Sequence, residues 1–236
     1  MSEQIDKTAI RNAATIILLR DRETVPQVLM GQRGEGAAFM PSKYVFPGGA
    51  VDAGDAAIPL ASPLPAVCRD RLRSESDLAP DTLAAAAIRE LWEETGQILG
   101  TPGNWPDAPR GWRGFAASGH RPSADGLTFV FRAITPVGRP RRFDARFFLA
   151  DAAHLVTDPD DFTHAEDELS HLHWVPLAEV RKLDLPFITQ VVLAEIASLT
   201  THSGPPTSVP FFRNEDERFL IDQLAGKSPL DTVPGR

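Results

Sequence analysis

Runs of apolar residues predict a pair of strands at the start of the chain. Residues 13–19 are aliphatic and β-branched, which is typical of a buried strand. After a polar turn, residues 27–33 predict a second strand that forms a hairpin with the first. A short apolar stretch at residues 44–46 then meets a Pro-Gly-Gly turn at residues 47–49, which ends it.

The strongest helical pattern of the chain lies over residues 83–95. Asp81 is its expected N-cap, and Gly96 stands where a helix C-terminal glycine belongs. Further apolar runs predict strands over 127–135, 142–150 and 172–175, and helices over 176–182 and 186–199. Strands, a helix, strands and helices in that order predict an α/β fold in which helices pack on a mixed sheet.

Two proline-containing segments show neither the hydrophobic period of a helix nor that of a strand. Residues 55–80 hold four prolines and a charged patch, and they form the least regular part of the first half. Residues 203–210 are proline-rich and predict a surface connection. Both segments interrupt the pattern of strands and helices without indicating a second fold.

The charge of the chain argues against nucleic acid as a partner. Its 236 residues carry a formal net charge of −8 with a pI of about 5.2, whereas phosphate backbones require a basic footprint. The apolar share of 42% is enough for a substantial core. The single cysteine, Cys68, excludes a disulfide framework within the chain and fits a reducing compartment.

No segment predicts a membrane span or a signal peptide. Residues 1–10 carry three charged side chains and no apolar h-region. The apolar run at 13–19 is far too short to cross a bilayer, and residues 233–236 show no lipidation or retention signal. We therefore expect a soluble, cytoplasmic protein with no membrane partner.

Three glutamates give the predicted helix an acidic face. Glu90, Glu93 and Glu94 stand at i, i+3 and i+4, so they lie on one side of the helix. Like charges at this spacing repel by roughly 0.2–0.5 kcal/mol per pair on an exposed helix. Mg²⁺ or Mn²⁺ would remove this conflict, because both take carboxylate oxygens as ligands. A solvated acidic face with an ordinary pair between Arg89 and Glu93 is the other interpretation of this segment alone.

The glycines at positions 48 and 49 are a second candidate feature. Glycine allows the backbone to approach a ligand closely, and a turned carbonyl at this point could ligate a metal ion. A plain tight turn is the alternative for these two residues taken alone.

Together, the two segments resemble the Nudix box. That family's pattern is a glycine, an acidic residue six positions on, and then Arg-Glu-aliphatic-x-Glu-Glu-x-Gly-aliphatic. Gly49 matches the first glycine, and Arg-Glu-Leu-Trp-Glu-Glu-Thr-Gly at 89–96 matches the second half. The sequence departs from the pattern at Asp55, which replaces the usual Glu, and at Gln97, which replaces the closing aliphatic residue. In addition, 33 residues separate Asp55 from Arg89, where the family usually has seven.

The interrupted box resembles one Nudix subgroup in particular. Phe-Met-Pro at 39–41, Val-Phe-Pro-Gly-Gly at 45–49 and the segment 142–148 all look like the subgroup that includes peroxisomal coenzyme A diphosphatases. The similarity covers roughly residues 10–185. It implies a Nudix α/β/α sandwich with a mixed β-sheet. We expect residues 1–236 to form a single Nudix domain with an insertion at 56–80 and a C-terminal extension at 200–236.

The resemblance also implies roles for individual residues. Mg²⁺ or Mn²⁺ would be ligated by Glu90, Glu93 and Glu94 with the carbonyl of Gly48, and Arg89 would join Glu93 and Glu94 in catalysis. Some family members take their base from a loop before a late strand. Glu166 and Glu168 are the matching candidates here, and an acidic surface loop is the alternative. The candidates for substrate contacts are Arg33, Arg142 and Asp55.

The function implied by the resemblance is cleavage of a diphosphate bond in a nucleoside diphosphate linked to another moiety. Coenzyme A or an acyl-CoA is one candidate substrate, and ADP-ribose or a nucleoside triphosphate is another. A Nudix-like module that senses a nucleotide without cutting it is the alternative from a different class. The complete set of Arg89 and three glutamates favours the enzyme. We expect a small-molecule nucleotide partner, and a homodimer is a candidate assembly.

Overall fold

An eight-stranded mixed sheet forms the centre of the structure, a computed structural model that describes residues 9–37, 39–200, 204–213 and 215–232. Its strands run in the order β10-β7-β8-β1-β2-β3, while β4 also pairs with β1 and β9 with β2. The strands are β1 (Ile10–Arg20), β2 (Gln27–Arg33), β3 (Tyr44–Val45), β4 (Gly48–Ala50), β7 (Thr128–Ile134), β8 (Arg142–Asp151), β9 (Leu169–Pro176) and β10 (Phe211–Phe212). A separate ribbon joins β5 (Gly100–Pro102) to β6 (His120–Pro122).

Different helices cover the two faces of this sheet. The helices are α1 (Ala66–Leu72), α2 (Pro80–Thr95), α3 (Arg113–Ala117), α4 (Phe187–Leu199) and α5 (Asp216–Leu224). Ile16 of β1 shares a core cluster with residues of α2, whereas Ile17 shares the other cluster with residues of α4. Neighbouring residues of a strand point to opposite faces, so the sheet lies between the two helices. The predicted α/β/α sandwich with a mixed sheet is confirmed.

Strand β1 creates the opening in which the candidate site lies. It pairs in parallel with β8 along ten residues, from Ile10 opposite Arg142 onward. On its other side it pairs with β2 at one end and with β4 at the other, where Thr15 lies opposite Gly48. Because β1 exchanges partners midway, the short glycine strand β4 lies beside the C-terminal half of α2.

Three local predictions were wrong. Residues 176–182 do not form a regular helix, and only Val180–Lys182 make a short 3-10 turn. The N-cap of α2 is Ala79 instead of Asp81, because Pro80 takes the first helical position, where its missing N–H has no partner to lose. The Pro-Gly-Gly segment does not simply turn, since Gly48–Ala50 pair with β1 as a strand.

The irregular segments also hold structure that their sequences did not predict. The insertion carries α1, which buries Cys68 and Leu72 against the core. The C-terminal extension adds β10 beside β7 and the helix α5. Among the described residues, no helix combines the length and apolarity that a membrane crossing requires. The predictions for residues 1–8 and 233–236 lie outside the described residues.

Candidate active site

The acidic end of α2 is buried beneath the glycine strand. Glu90 is 8% exposed and Glu94 is 2% exposed, while Glu93 is partly exposed. The solvated acidic face, which was the alternative interpretation of this helix, is therefore wrong. Burying carboxylates without partners is costly, so their contacts decide what this end of the helix can do.

Arg89 is the centre of these contacts. Its Nε donates to Asp55 Oδ1 at 2.9 Å, and its Nη2 donates to Asp55 Oδ2 at 3.1 Å. Its Nη1 donates to Glu90 Oε1 at 2.9 Å and to Glu93 Oε2 at 2.8 Å, and its Nη2 also reaches the carbonyl of Ala50 at 2.9 Å. One guanidinium thus fixes two of the three glutamates relative to the glycine strand.

The pairing with Asp55 keeps Arg89 charged. Burial by itself lowers the pKa of Arg89, but the hydrogen bonds that it donates to Asp55 and the charges of the neighbouring carboxylates outweigh burial and raise the pKa. Asp55 is 2% exposed, and it also accepts a hydrogen bond from the backbone N–H of Asp52 at 2.8 Å. The predicted substrate contact of Asp55 is disfavoured, because its carboxylate is buried and faces Arg89.

The two glycines contact the glutamates directly. The N–H of Gly48 donates to Glu94 Oε2 at 2.7 Å. A Cβ on Gly49 would lie 2.6 Å from the carboxylate atoms of Glu90. Only a residue without a side chain allows this approach, so the glycine strand β4 forms part of the carboxylate site. The contact seen for Gly48 is made through its N–H, and metal ligation by its carbonyl stays a prediction.

All three glutamates hold their protons more tightly than usual. Burial raises the pKa of Glu90 to about 7, although the neighbouring Arg89 opposes the shift. Burial also raises the pKa of Glu93, and burial together with the charge of Glu90 raises the pKa of Glu94 well above its usual range. The ionised form of these carboxylates is therefore disfavoured, and a cation bound among them would stabilise that form.

The carboxylate oxygens of this cluster are suitable ligands for a hard divalent cation. Glu94 Oε1 is buried and has no hydrogen-bond partner in the described part of the chain. Carboxylate oxygens are the ligands that Mg²⁺ and Mn²⁺ prefer. Across residues 9–37, 39–200, 204–213 and 215–232, however, no group of three or more His, Cys, Asp or Glu side chains forms a ready ligand set. One carboxylate oxygen of Glu90 and one of Glu93 accept hydrogen bonds from Arg89.

The acidic loop before β9 lies against the end of α2. Gly96 adopts a left-handed φ of 72°, and a Cβ there would meet His164 Cβ at 2.9 Å, so glycine lets the loop dock. The N–H of Glu166 donates to the carbonyl of Glu93 at 2.8 Å. The exposed carboxylate of Glu168 accepts from Arg33 Nη2 at 2.9 Å. Both base candidates therefore lie near the glutamate cluster.

A cleft of about 730 Å³ opens over this cluster. Glu90, Glu168 and Arg33 line it together with the two glycines of β4. Arg142 does not line it, and its Nε donates instead to the carbonyl of Thr135 at 3.0 Å. The predicted substrate contact of Arg142 is disfavoured, because alternate residues of a strand point to opposite faces of the sheet.

Sequence reasoning missed a group of basic residues in the same cleft. They are Arg11, Lys43, Arg139, Arg141 and Arg213. Of the three arginines at positions 139, 141 and 142, only Arg142 was predicted from the sequence as a substrate contact, although Arg141 and Phe143 line the cleft. The period of two in a strand could have indicated Arg141. The other basic residues are distant in sequence and carried no signal.

The likeness to known proteins agrees with this geometry. No family model matches the sequence. The chain is 32% identical over 178 residues to nudix hydrolase 7 of Caenorhabditis elegans, whose assignment is itself provisional, and the match covers 70% of this chain. The chain spans about half the length of this curated relative, 51%.

A solved structure supports the same assignment. The NUDIX hydrolase of Alicyclobacillus acidocaldarius is 28% identical, with a TM-score of 0.59. The match covers 80% of this chain and 92% of that one. The fold, the box residues and these relatives all support an assignment to the Nudix hydrolase superfamily.

Proposed function

We propose that this chain is a Mg²⁺- or Mn²⁺-dependent hydrolase that cleaves a diphosphate bond in a nucleoside diphosphate linked to a second moiety. The observation that carries the proposal is the set of three glutamates held by Arg89 and the glycine strand at one end of a large cleft. Such a carboxylate set suits a substrate whose phosphates must be screened by metal ions.

Each residue of the box has a distinct part in this proposal. Glu90, Glu93 and Glu94 would hold the cation. A bound cation would neutralise the diphosphate and stabilise the charge that develops during phosphoryl transfer. Arg89 keeps Glu90 and Glu93 in position, and Asp55 orients Arg89 from the buried side.

Glu168 is the preferred base. It lines the cleft together with Glu90, and Arg33 fixes its carboxylate. It would take a proton from a water that attacks one phosphorus in line, as the bridging P–O bond breaks and the other phosphate leaves with the electron pair. Glu166 is the second candidate, because its backbone is bound to the last turn of α2.

The size of the cleft favours a substrate larger than a mononucleotide. Its volume of about 730 Å³ lies in the upper part of the range for small-molecule sites. Coenzyme A or an acyl-CoA is the leading candidate, since the sequence resembles the subgroup with that activity. ADP-ribose and nucleoside triphosphates are the alternatives, as is a non-catalytic nucleotide-sensing module.

A substrate panel with Mg²⁺ or Mn²⁺ tests the proposal. We expect hydrolysis of at least one of coenzyme A, an acyl-CoA, ADP-ribose, NADH, a dinucleoside polyphosphate or a deoxynucleoside triphosphate, with products identified by mass spectrometry. Glu93→Gln and Glu94→Gln should each lower kcat on the order of a hundredfold, because a charged ligand is lost. Glu179→Gln is the matched control, since Glu179 is exposed and pairs only with Lys182 among the described ion pairs.

Two outcomes would contradict the proposal. Nucleotide binding without any metal-dependent turnover would favour the sensing module. Full activity of both glutamine variants would show that these carboxylates do not hold the metal.

A further inference from the structure

The cleft is basic although the chain is acidic. Within the described residues, the charged side chains that line the cleft comprise six cations and three carboxylates. They are Arg11, Arg33, Lys43, Arg139, Arg141 and Arg213, with Glu90, Glu168 and Glu217. The chain as a whole carries a formal net charge of −8. Positive charge is thus concentrated where the proposed substrate would bind.

Two of the six cations have no acidic partner in the ranges that the structure describes. Arg33, Lys43, Arg139 and Arg213 each face a carboxylate within ion-pair distance. Arg11 and Arg141 face no carboxylate of the described residues within that distance, and both are exposed to solvent. Their guanidinium groups are therefore available to an anion that enters the cleft.

These two arginines line the same end of the cleft floor. Parallel pairing places Ile10 opposite Arg142, the first residue of β8, so Arg11 of β1 and Arg141, which directly precedes β8, lie near the same edge of the sheet. Arginine donates in a planar fork that matches phosphate oxygens, and a phosphate monoester at neutral pH approaches two negative charges. Two guanidinium groups match that charge.

The register of β1 gives the distance from the glutamate cluster. Ala14 lies opposite Gly49, whose backbone touches Glu90. Arg11 is three positions before Ala14, which corresponds to roughly 10 Å along a strand. The floor between them includes the apolar side chains of Ala13 and Phe143.

We propose that Arg11 and Arg141 bind a second phosphate group of the substrate, a monoester on the moiety that lies along the cleft floor. The inference rests on the proposed function and narrows it. The preferred substrates would be diphosphates that carry an additional phosphate roughly 10 Å from the bond that is cut. A substrate without that group would lose the contact with both guanidinium groups.

Matched substrates test this directly. Coenzyme A and 3′-dephospho-coenzyme A differ by one phosphate monoester, as do NADPH and NADH. For the wild-type protein with Mg²⁺, we expect the phosphorylated member of a hydrolysed pair to have a kcat/KM higher on the order of tenfold or more, since a charge-assisted hydrogen bond contributes at least that much. The Arg11→Gln/Arg141→Gln double variant should bring the ratio close to one, mainly through KM of the phosphorylated substrate.

Two further variants separate charge from structure. Arg11→Lys/Arg141→Lys keeps both charges and should retain part of the preference. Arg73→Gln is the matched control, because Arg73 is an exposed arginine outside the cleft and should leave the ratio unchanged. Circular dichroism establishes that each variant is folded.

A binding experiment keeps this inference separate from the proposed hydrolysis. Calorimetry with adenosine 3′,5′-bisphosphate and AMP compares the same phosphate group without turnover. A preference for the bisphosphate that the double glutamine variant loses supports the inference, even if no diphosphate is cut. Equal affinities in the wild type, or a preference that the double variant retains, would overturn it.

Discussion

At the residue scale, the carboxylate of Glu90 packs against the backbone of Gly49 and occupies the space that a side chain at position 49 would need. The nearest carboxylate atoms lie 2.6 Å from the position of an added Cβ. Glu90 is also held by Arg89, which binds Asp55 on its other side. The position of Glu90 therefore depends on the missing side chain at Gly49 and on the guanidinium of Arg89.

We expect Gly49→Ala to lower kcat/KM on the order of a hundredfold, because the new methyl group must displace Glu90 from its position. Steady-state kinetics with the best substrate of the panel measure the effect. Gly54→Ala is the control, since a Cβ at Gly54 would meet nothing within 4 Å. Equal activities of the two alanine variants would show that close packing on Glu90 does not matter.

At the scale of the element, α2 is a buried helix with an acidic end. Pro80 begins it, and Gly96 ends it in a left-handed conformation with its N–H bound to the carbonyl of Trp92 at 2.8 Å. Its alanines pack flat beneath the sheet, so the helix comes close enough for Glu90 and Glu94 to meet β4. That closeness explains why burial raises the pKa of its glutamates.

The raised pKa of Glu90 predicts how the stability of the metal-free protein changes with pH. Glu90 ionises near 4.5 in the unfolded chain and near 7 in the folded one, so between these values the folded state binds more protons. The free energy of unfolding should therefore fall as the pH rises from about 4.5 to about 7, by about 3 kcal/mol from this group. Urea denaturation at several pH values in EDTA measures it.

Glu90→Gln provides the comparison for this pH dependence. The glutamine does not ionise, so the variant should lose that part of the pH dependence. Mg²⁺ should restore stability to the wild type near neutral pH, since a bound cation favours the ionised carboxylates. Parallel pH profiles for the two proteins in EDTA would contradict the role given to Glu90.

At the scale of the whole molecule, the insertion and the C-terminal extension meet at the edge of the sheet. Arg132 of β7 donates to the carbonyls of Ser74 and Glu75 at 2.9 and 2.7 Å. Its guanidinium lies 4.1 Å from the ring of Phe211 in β10. Arg213 in turn binds both carboxylate oxygens of Glu75 at 2.9 and 3.1 Å. The insertion and the C-terminal extension therefore contact each other directly and also through Arg132 of the sheet.

Removing Arg132 should cost far more stability than removing Arg213. Arg132 is 7% exposed and pairs with Asp144, so Arg132→Gln should lower the free energy of unfolding by about 3 kcal/mol. Arg213→Gln breaks an exposed pair and should cost less than about 1 kcal/mol. Urea denaturation of both variants checks the ranking. Equal losses would mean that the interior contacts of Arg132 do not anchor the insertion.

Local sequence was sufficient for those parts of the molecule whose structure depends on short-range spacing. The aliphatic runs of β1 and β2 and the helical period of α2 predicted these elements, because side-chain burial repeats with the period of the backbone. The spacing of Glu90, Glu93 and Glu94 likewise placed them on one helix face. The resemblance to the Nudix box added the family, and the fold agrees.

Tertiary structure decided whatever depends on residues that are distant along the chain. Asp55 and Arg89 are 34 positions apart, and their ion pair requires the intervening segment to return the chain to the same place. The strand β4 exists because β1 exchanges partners, and its closeness to α2 buries the glutamates. Arg11 and Arg141 line the same end of the cleft only because β1 pairs with β8. Burial and charge at the site arise from these long-range contacts, which no local period of the sequence encodes.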